Sequence, residues 1–199
     1  MKQKNKYEIR ALYTPEHIAL YAAFSSSIAN VALKSQQLLP PFSYDRMTWV
    51  KPSYLWMMYR SDWAQKDNMQ RILRIWIKRT DWELALKEAI LTTPEAHVYN
   101  DAKKWRKQLD KARVRVQWDP ERDIQNKHLS FKSIQVGIMP SLAETYAKKW
   151  IAKIEDVTPL TQHIRSLVVA QQFEQATQLL PKEQVYPVET ELKRILGMD

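Results

Sequence analysis

Alternating apolar and polar positions predict a series of β-strands along this chain. The clearest example is residues 70–78, where Leu73, Ile75 and Ile77 occupy every second position. Because successive side chains of a strand point to opposite faces, this segment has one buried face and one cationic face. Further strands are predicted over residues 7–13, 47–51, 112–118 and 132–138, and residues 18–24 fit either a strand or a helical turn.

Helical spacing and terminus signals predict the helices. Residues 25–37 have the spacing of an amphipathic helix that ends at Pro40-Pro41. Pro52 suits the first turn of a second helix reaching about Arg60, because that turn does not use the donor that proline lacks. Further helices are predicted over residues 101–109, 140–150, 158–170, 172–180 and 187–196.

Two segments carry boundary signals. Thr80-Asp-Trp-Glu83 has the pattern of a capping box, in which a hydroxyl and a carboxylate accept hydrogen bonds from free amides at a helix N-terminus. It predicts a helix that reaches about Leu91. The run from Trp118 to Asp123 contains Asp-Pro-Glu and predicts a loop after the preceding strand.

Strands interspersed with helices, without a regular strand-helix-strand period, indicate an α+β fold. We expect a single domain over residues 1–199, with four to six strands in a mixed, largely antiparallel central sheet flanked by helices. The C-terminal quarter is predicted to be mainly helical.

Cysteine and glycine usage limits the possible chemistry. The chain has no cysteine, which excludes disulfides and thiolate sites and favours a reducing compartment. Its only glycines, Gly137 and Gly197, cannot form the glycine-rich loops that cradle phosphates in P-loop or dinucleotide-binding folds. A bound nucleotide must therefore be held by side chains.

The sequence also predicts where the protein resides. No apolar run follows the charged N-terminal start, and no segment approaches the roughly 20 apolar residues of a membrane span. We therefore expect a cytoplasmic protein with no membrane partner. The four histidines are scattered without the spacing of a zinc helix, so no metal site is expected.

The formal net charge of +9 favours an anionic partner such as nucleic acid, a nucleotide or an acidic surface, although it also serves solubility. Residues 43–63 combine this charge with aromatic rings. Tryptophans recur there every seven residues, with cations just before and between them. They are Trp49, Trp56 and Trp63, with Arg46, Lys51 and Arg60.

Two polar sets are candidates for a binding site. Guanidinium groups bind phosphate in pairs of hydrogen bonds, and aromatic faces stack on bases. The first set is Arg46, Lys51, Ser53, Tyr59, Arg60 and Ser61, and the second is Arg113, Arg115, Gln117, Asp119, Glu121 and Arg122. The alternative is an aromatic core with solvated cations at its rim.

Several segments of unusual composition resemble the sequences of a bacterial family known as domain of unknown function 4291. They are Asp45-Arg-Met-Thr-Trp-Val-Lys-Pro-Ser-Tyr-Leu-Trp-Met-Met-Tyr-Arg-Ser61, Val114-Arg-Val-Gln-Trp-Asp-Pro-Glu-Arg122, Ser133-Ile-Gln-Val-Gly137 and Asp156-Val-Thr-Pro-Leu160. The resemblance extends over about residues 8–169, leaving residues 170–199 as additional C-terminal helices. It implies kinship without an established activity.

A second resemblance is to the ADP-ribosyltransferases, which place an arginine or histidine, a small hydroxyl residue and a glutamate or glutamine around NAD. The order Arg10, Ser53 and then Gln117 or Glu121 is similar. This resemblance implies an ADP-ribosyltransferase-like scaffold with NAD as its cofactor.

The leading hypothesis is a transferase that binds NAD or a related nucleotide and modifies a nucleic acid or another anionic acceptor. Guanidinium groups would grip phosphates, an indole would stack on a ring, and a carboxylate would hydrogen-bond the ribose as charge develops at its anomeric carbon. The predicted catalytic residues are Glu121, Gln117 and Ser53. The predicted cofactor-binding residues are Arg10, Arg46, Trp49, Lys51, Trp56, Tyr59, Arg60 and Arg115.

Two alternatives remain open at this stage. A non-catalytic RNA-binding or DNA-binding protein would lose affinity steeply with salt, and its aromatic residues would stack on single-stranded bases. In the other alternative the aromatic segment is mostly core, and Trp56→Ala unfolds the protein.

Overall fold

The structure, a computed structural model, describes residues 6–198 and contains strands wherever alternation predicts them. Residues 1–5, which hold most of the charged N-terminal start, and residue 199 lie outside the described residues. The strands are β1 (Arg10–Ala11), β2 (His17–Phe24), β3 (Thr48–Val50), β4 (Arg71–Lys78), β5 (Ala89–Leu91), β6 (Val114–Arg122), β7 (His128–Ile138), β8 (Ile151–Asp156) and β9 (Gln184–Val185).

Helices alternate with these strands and dominate the C-terminal quarter, as predicted. They are α1 (Ser26–Ser35), α2 (Tyr54–Ser61), α3 (Arg79–Lys87), α4 (Ala102–Lys111), α5 (Pro140–Thr145), α6 (Thr158–Val169), α7 (Phe173–Gln178) and α8 (Thr190–Leu196). α5 continues into a π-helical turn over Tyr146–Trp150. None of the helices described between residues 6 and 198 is long and apolar enough to cross a membrane.

The first sheet is antiparallel and has the strand order β2-β4-β8. Leu20 pairs with Ile75, which in turn pairs with Ile154. All three side chains are buried in the main hydrophobic core. Cross-strand apolar pairs of this kind stabilise the sheet and fix its register, because a slip of one residue would expose them.

The second sheet has the order β3-β7-β6-β5, and its only parallel pair within residues 6–198 is β5 with β6. The two sheets meet where the backbones of Tyr21 and Lys51 exchange hydrogen bonds of 2.6 and 3.4 Å. β1 and β9 form a separate antiparallel pair. The predicted α+β fold, a single domain with a mixed and largely antiparallel sheet, is therefore confirmed.

The predicted strand number of four to six is too low, because nine strands lie within residues 6–198. The additional strands are β5, β8 and β9, whose segments are short or lack clear alternation. Their strand conformation depends on pairing with distant strands, as β8 pairs with β4. Tertiary contacts decide such segments.

The predicted capping box at Thr80 is wrong. α3 begins at Arg79, one residue before Thr80, so Thr80 lies inside the first turn of the helix. No side chain caps the N-terminus of α3. Glu83 instead accepts a hydrogen bond from the Tyr186 hydroxyl. The helix also ends at Lys87 rather than near Leu91, because the following residues pair with β6.

The loop predicted over residues 118–123 is also wrong, because β6 continues to Arg122. Asp119 pairs with Ser133 of β7, and the register shifts only between Pro120 and Arg122. A proline is tolerated at such an irregularity because it removes only a donor that the ladder does not use there. The extension places Asp119 and Glu121 on a strand instead of a turn.

Local capping defines the ends of α2. The Ser53 hydroxyl accepts a hydrogen bond from the Trp56 amide at 3.1 Å, so Ser53 is the N-cap and Pro52 lies just outside the first turn. The helix ends at Ser61, and Trp63 has a positive φ of 53°. Trp63 therefore does not extend the helix face that carries Trp56.

Candidate functional site

A polar strip crosses the sheet formed by β3, β7, β6 and β5. Gln117 and Asp119 of β6 pair in register with Gln135 and Ser133 of β7. Gln117 Nε2 donates to Asp119 Oδ1 at 2.9 Å. Asp119 Oδ2 is buried without a hydrogen-bond partner among residues 6–198. Because buried polar atoms are normally paired, this oxygen marks a place where a ligand atom or water can bind.

Lys51 directly follows β3 and reaches the centre of the polar strip. Only 3% of the residue is exposed. Its Nζ donates to Gln135 Oε1 and lies 3.4 Å from the centroid of the Trp56 ring. No carboxylate of residues 6–198 forms an ion pair with it. A buried cation without an ion pair is costly, so the amine is poised to lose its proton.

The environment of Lys51 changes its acidity. Burial lowers its pKa from the usual 10.5 to about 7, and the charge of Arg60 acts in the same direction. The carboxylates of Asp119 and Glu121 oppose this shift. Near neutral pH a large fraction of the molecules therefore carry Lys51 as a neutral amine, which is the nucleophilic form.

The first cavity lies beside Lys51 and has a volume of about 460 Å³. The indoles of Trp49 and Trp56 form part of its wall, together with the cationic side chains of Arg46 and Arg60. A pocket of this size accommodates a small molecule of roughly nucleotide dimensions. Its lining combines flat rings with positive charge, which suits an anion that carries a ring.

The second cavity has a volume of about 670 Å³ and lies beyond the N-terminal end of α2. Arg10, Ser53, Glu121 and Glu183 contribute its polar lining, and Phe131 is among its apolar residues. The Arg10 guanidinium lies 5.0 Å from the centroid of the Phe131 ring. This cavity therefore combines two carboxyl groups with three cations, because Arg122 and Lys182 also line it.

Glu121 is one of these carboxyl groups and is 5% exposed. It accepts a hydrogen bond from the Arg122 amide at 2.9 Å. Burial raises its pKa, whereas the Arg122 amide, the hydroxyls of Ser53 and Ser133, and the charge of Lys51 act to lower it. Glu121 is thus a desolvated carboxylate held by several donors.

Glu183 is the second carboxyl group and accepts a hydrogen bond from the Tyr54 amide at 2.7 Å. Burial raises its pKa to about 8, the charge of Glu121 adds to the rise, and Arg10 opposes it. At neutral pH most molecules therefore hold a proton on Glu183. Two carboxyl groups that line one cavity in different environments can serve as a general acid and a general base.

The predicted site residues divide between the two cavities instead of sharing one. Those that line the first cavity are Arg46, Trp49, Lys51, Trp56, Arg60 and Gln117. Those that line the second are Arg10, Ser53 and Glu121. Tyr59 and Arg115 line neither of these two cavities.

The two remaining residues have other contacts. Tyr59 is 42% exposed, and its ring lies 3.7 Å from the guanidinium carbon of Arg122. Arg115 donates to the Leu109 carbonyl at 3.0 Å, on the side where α4 ends. Neither side chain therefore forms part of the wall of either cavity. Trp63 packs against a hydrophobic cluster and does not line the first cavity.

Gln135 and Glu183 are site residues that the sequence prediction missed. Gln135 shares a strand face with Ser133, and this alternation was a usable signal for polar residues on a buried face. Glu183 lies in a short segment between α7 and β9, where no local pattern distinguishes it from a solvated glutamate. Glu183 is recognisable as a site residue only because its carboxyl group accepts a hydrogen bond from the amide at the start of α2.

No preformed cluster of metal ligands is found within residues 6–198. Among residues 6–198, no group of three or more histidine, cysteine, aspartate or glutamate side chains is arranged to hold an ion. The two cavities bring together one buried amine, two carboxyl groups of raised pKa and several cationic side chains. These groups suit nucleophilic and acid-base steps on an anionic substrate.

Comparison with known proteins identifies the family. No curated protein matches the sequence. The model of the family described as Domain of unknown function (DUF4291) matches residues 8–186, which extends beyond the predicted limit near Val169. It covers the strands and α2 that form both cavities. The chain therefore belongs to the DUF4291 family.

Proposed function

We propose that this protein is a nucleotide-dependent transferase and that its nucleotide binds in the first cavity. One observation carries the proposal: two indoles, two arginines and the buried Lys51 line a single cavity of about 460 Å³. Indole faces stack on a base or nicotinamide ring, and guanidinium groups bind phosphate oxygens. Side chains thereby replace the glycine loop that the sequence excludes.

The ADP-ribosyl-transfer version of this proposal uses NAD as the donor. It requires Glu121 to hydrogen-bond the ribose while positive charge develops at the anomeric carbon. Glu121 is buried beside Ser53 and lines the second cavity, so the NAD molecule would have to extend from one cavity to the other. This demanding geometry makes NAD one member of the nucleotide panel to be tested rather than the sole candidate.

In this proposal the acceptor is a nucleic acid or another anion, and the protein itself acts in the cytoplasm. The net charge of +9 favours such partners at long range. If the protein only binds RNA or DNA, affinity should fall steeply with salt, and the Glu121→Gln variant should bind as well as the wild type or better. If it is a transferase, the same variant should lose turnover.

The test is a thermal-shift and calorimetry panel with ATP, GTP, NAD and ADP-ribose. A ligand that prefers the native state raises the melting temperature. Arg46→Ala and Arg60→Ala should each weaken the binding of the responding nucleotide by roughly 10–100-fold, the value of one charge-assisted hydrogen bond. Both arginines are exposed, so the unliganded melting temperature should change little.

Arg106→Ala is the matched control, since Arg106 lies on the exposed face of α4 and pairs with Asp110 at 3.3 Å. It removes the same charge without touching either cavity and should leave nucleotide affinity unchanged. Equal losses in all three variants would mean that net charge alone drives binding. No melting shift with any nucleotide would remove the proposal altogether.

A further inference from the structure

We propose that Lys51 is a nucleophile that accepts the nucleotidyl group of the bound nucleotide as a covalent lysyl phosphoramidate. This step rests on the proposed function and deepens it, because it names the reacting atom and the class of donor. The donor is a nucleotide whose α-phosphorus carries a phosphate leaving group, such as a nucleoside triphosphate or a dinucleotide with a pyrophosphate bridge.

The position of the Lys51 amine supports this role. A lysine that merely binds phosphate is usually solvated, whereas Lys51 is 3% exposed and lines the first cavity. Gln135 Oε1 and the Trp56 ring hold Nζ from two sides. An amide oxygen and a ring face orient an amine without taking its lone pair, whereas an ion pair would keep it protonated.

The surroundings of the amine suit phosphorus chemistry. Arg46 and Arg60 line the same cavity and provide positive charge for a phosphate chain and its leaving group. Trp49 provides a second aromatic wall for the base. Asp119 adds a buried carboxylate oxygen, Oδ2, without a partner among the described residues. Its charge acts on Lys51 more strongly than that of Glu121, so we assign Asp119 as the group that receives the proton.

The step balances without any further reactant. The neutral Nζ of Lys51 attacks the α-phosphorus, a nitrogen–phosphorus bond forms, and the bond from that phosphorus to the bridging oxygen breaks. Pyrophosphate leaves a triphosphate donor, and the second nucleotide leaves a dinucleotide. The proton released by Nζ passes to Asp119 and then to solvent. An oxygen of an acceptor hydroxyl or phosphate later attacks the same phosphorus, and the nitrogen–phosphorus bond breaks. Nζ takes up a proton from the attacking hydroxyl or from solvent and leaves as the free amine.

The experiment incubates the full-length protein with magnesium chloride and either α-labelled nucleoside triphosphates, γ-labelled ATP or adenylate-labelled NAD. The α-label should remain on the denatured protein, and the γ-label should not. Intact mass should increase by one nucleoside monophosphate residue, and peptide mapping should place it on Lys51. The adduct should resist alkali and break in acid, as phosphoramidates do, and added pyrophosphate should remove it from protein charged with a triphosphate.

Lys51→Arg and Lys51→Met should reduce labelling to the background of protein-free samples. Lys87→Arg, a substitution on an exposed position of α3, should label like the wild type. Peptide mapping of the wild-type protein identifies the modified residue even if a Lys51 variant does not fold. Nucleotide-induced melting shifts are measured on the same samples to separate the two proposals.

If the wild type binds nucleotide without forming an adduct, the nucleophile is overturned while the proposed function stands. If no nucleotide binds, both fail. An adduct on any other residue, retained in Lys51→Met, also overturns the assignment. Trapping of a carbonyl compound on Lys51 by borohydride, without any nucleotidyl adduct, would replace it with Schiff-base chemistry.

Discussion

The Nζ atom of Lys51 lies 3.4 Å from the centroid of the Trp56 ring. The two residues are close in sequence, but one follows β3 and the other lies in the first turn of α2. Their contact joins the sheet to the helix and places the amino group over an aromatic face. When Lys51 is protonated, cation–π attraction, which gains strength between desolvated partners, offsets part of the cost of burying its charge.

The stability of the protein should rise with pH between about 7 and 10.5 because of Lys51. In this window the unfolded chain holds a proton on Lys51 and the folded chain does not, so unfolding takes up a proton. The free energy of unfolding should gain up to about 1.4 kcal/mol per pH unit relative to Lys51→Met. Urea titrations across this range measure it. Lys87→Met keeps Lys51, so its curve should run parallel to that of the wild type. Parallel curves for Lys51→Met and wild type would contradict the low pKa.

Glu183 should have the opposite effect between about pH 4.5 and 8. Here the unfolded chain has lost the proton that folded Glu183 retains, so stability falls as pH rises. The advantage of the wild type over Glu183→Gln should shrink by up to about 1.4 kcal/mol per pH unit, as urea titrations at pH 5 to 8 would detect. Glu16→Gln, at an exposed position, should run parallel to the wild type. A constant wild-type advantage would show that Glu183 ionises normally.

Gly137→Ala should disturb the first cavity. A Cβ at Gly137 would lie 2.8 Å from Met47 Sδ and 3.1 Å from the nearest ring atoms of Trp49. The methionine end can rotate away, but the indole must shift as a rigid unit. We expect a loss of stability of about 1–3 kcal/mol, typical of overpacking, together with several-fold weaker nucleotide binding. Calorimetry and thermal melts check both, and unchanged values of both would mean that Trp49 moves freely.

Glu155 should stabilise the fold at neutral pH and lose this effect as the solution becomes acidic. Trp76, Arg74 and Lys153 donate to its carboxylate at 2.7, 2.8 and 2.9 Å. Although burial favours its neutral form, these donors lower its pKa to about 2. The resulting stabilisation is complete above pH 4.5 and is lost as pH falls from 4.5 towards 2.

Glu155→Gln should therefore cost about 1–3 kcal/mol at pH 7, and the difference from wild type should narrow at pH 3. Guanidinium titrations at both pH values measure it. Glu144→Gln is the control, because its ion pair with Lys148 is exposed and screened by solvent, and its loss should change stability little at either pH. A cost that stays constant with pH would mean that packing, not charge, explains the loss.

The fold class was predictable because its signals are local. Alternation over residues 70–78 needs no knowledge of other strands, and β4 follows it within one residue. Asp101 similarly starts α4, and its carboxylate accepts hydrogen bonds from the amides of Lys103 and Lys104. Thr80 shows the limit of such signals. Its pattern is correct for a cap, yet α3 begins one residue before it.

Part of the candidate site was also predictable. Arg46, Trp49, Lys51, Trp56 and Arg60 come from one short segment and line one cavity. A strand followed closely by a helix keeps such residues together whatever the rest of the chain does. The sequence could not separate a solvated lysine from a desolvated one, because desolvation of Lys51 depends on the distant residue Gln135.

By itself, the sequence determined the α+β class, the exclusion of glycine-loop and cysteine chemistry, and the joint presence of indoles and cations after residue 43. Only the tertiary structure decided that Arg10 and Glu121 belong to a different cavity from Arg60. It also decided that Glu183 approaches α2 and that Lys51 is buried. The physical reason is range: periodicity and capping act over a few residues, whereas burial and electrostatic coupling depend on neighbours that lie far apart in the chain.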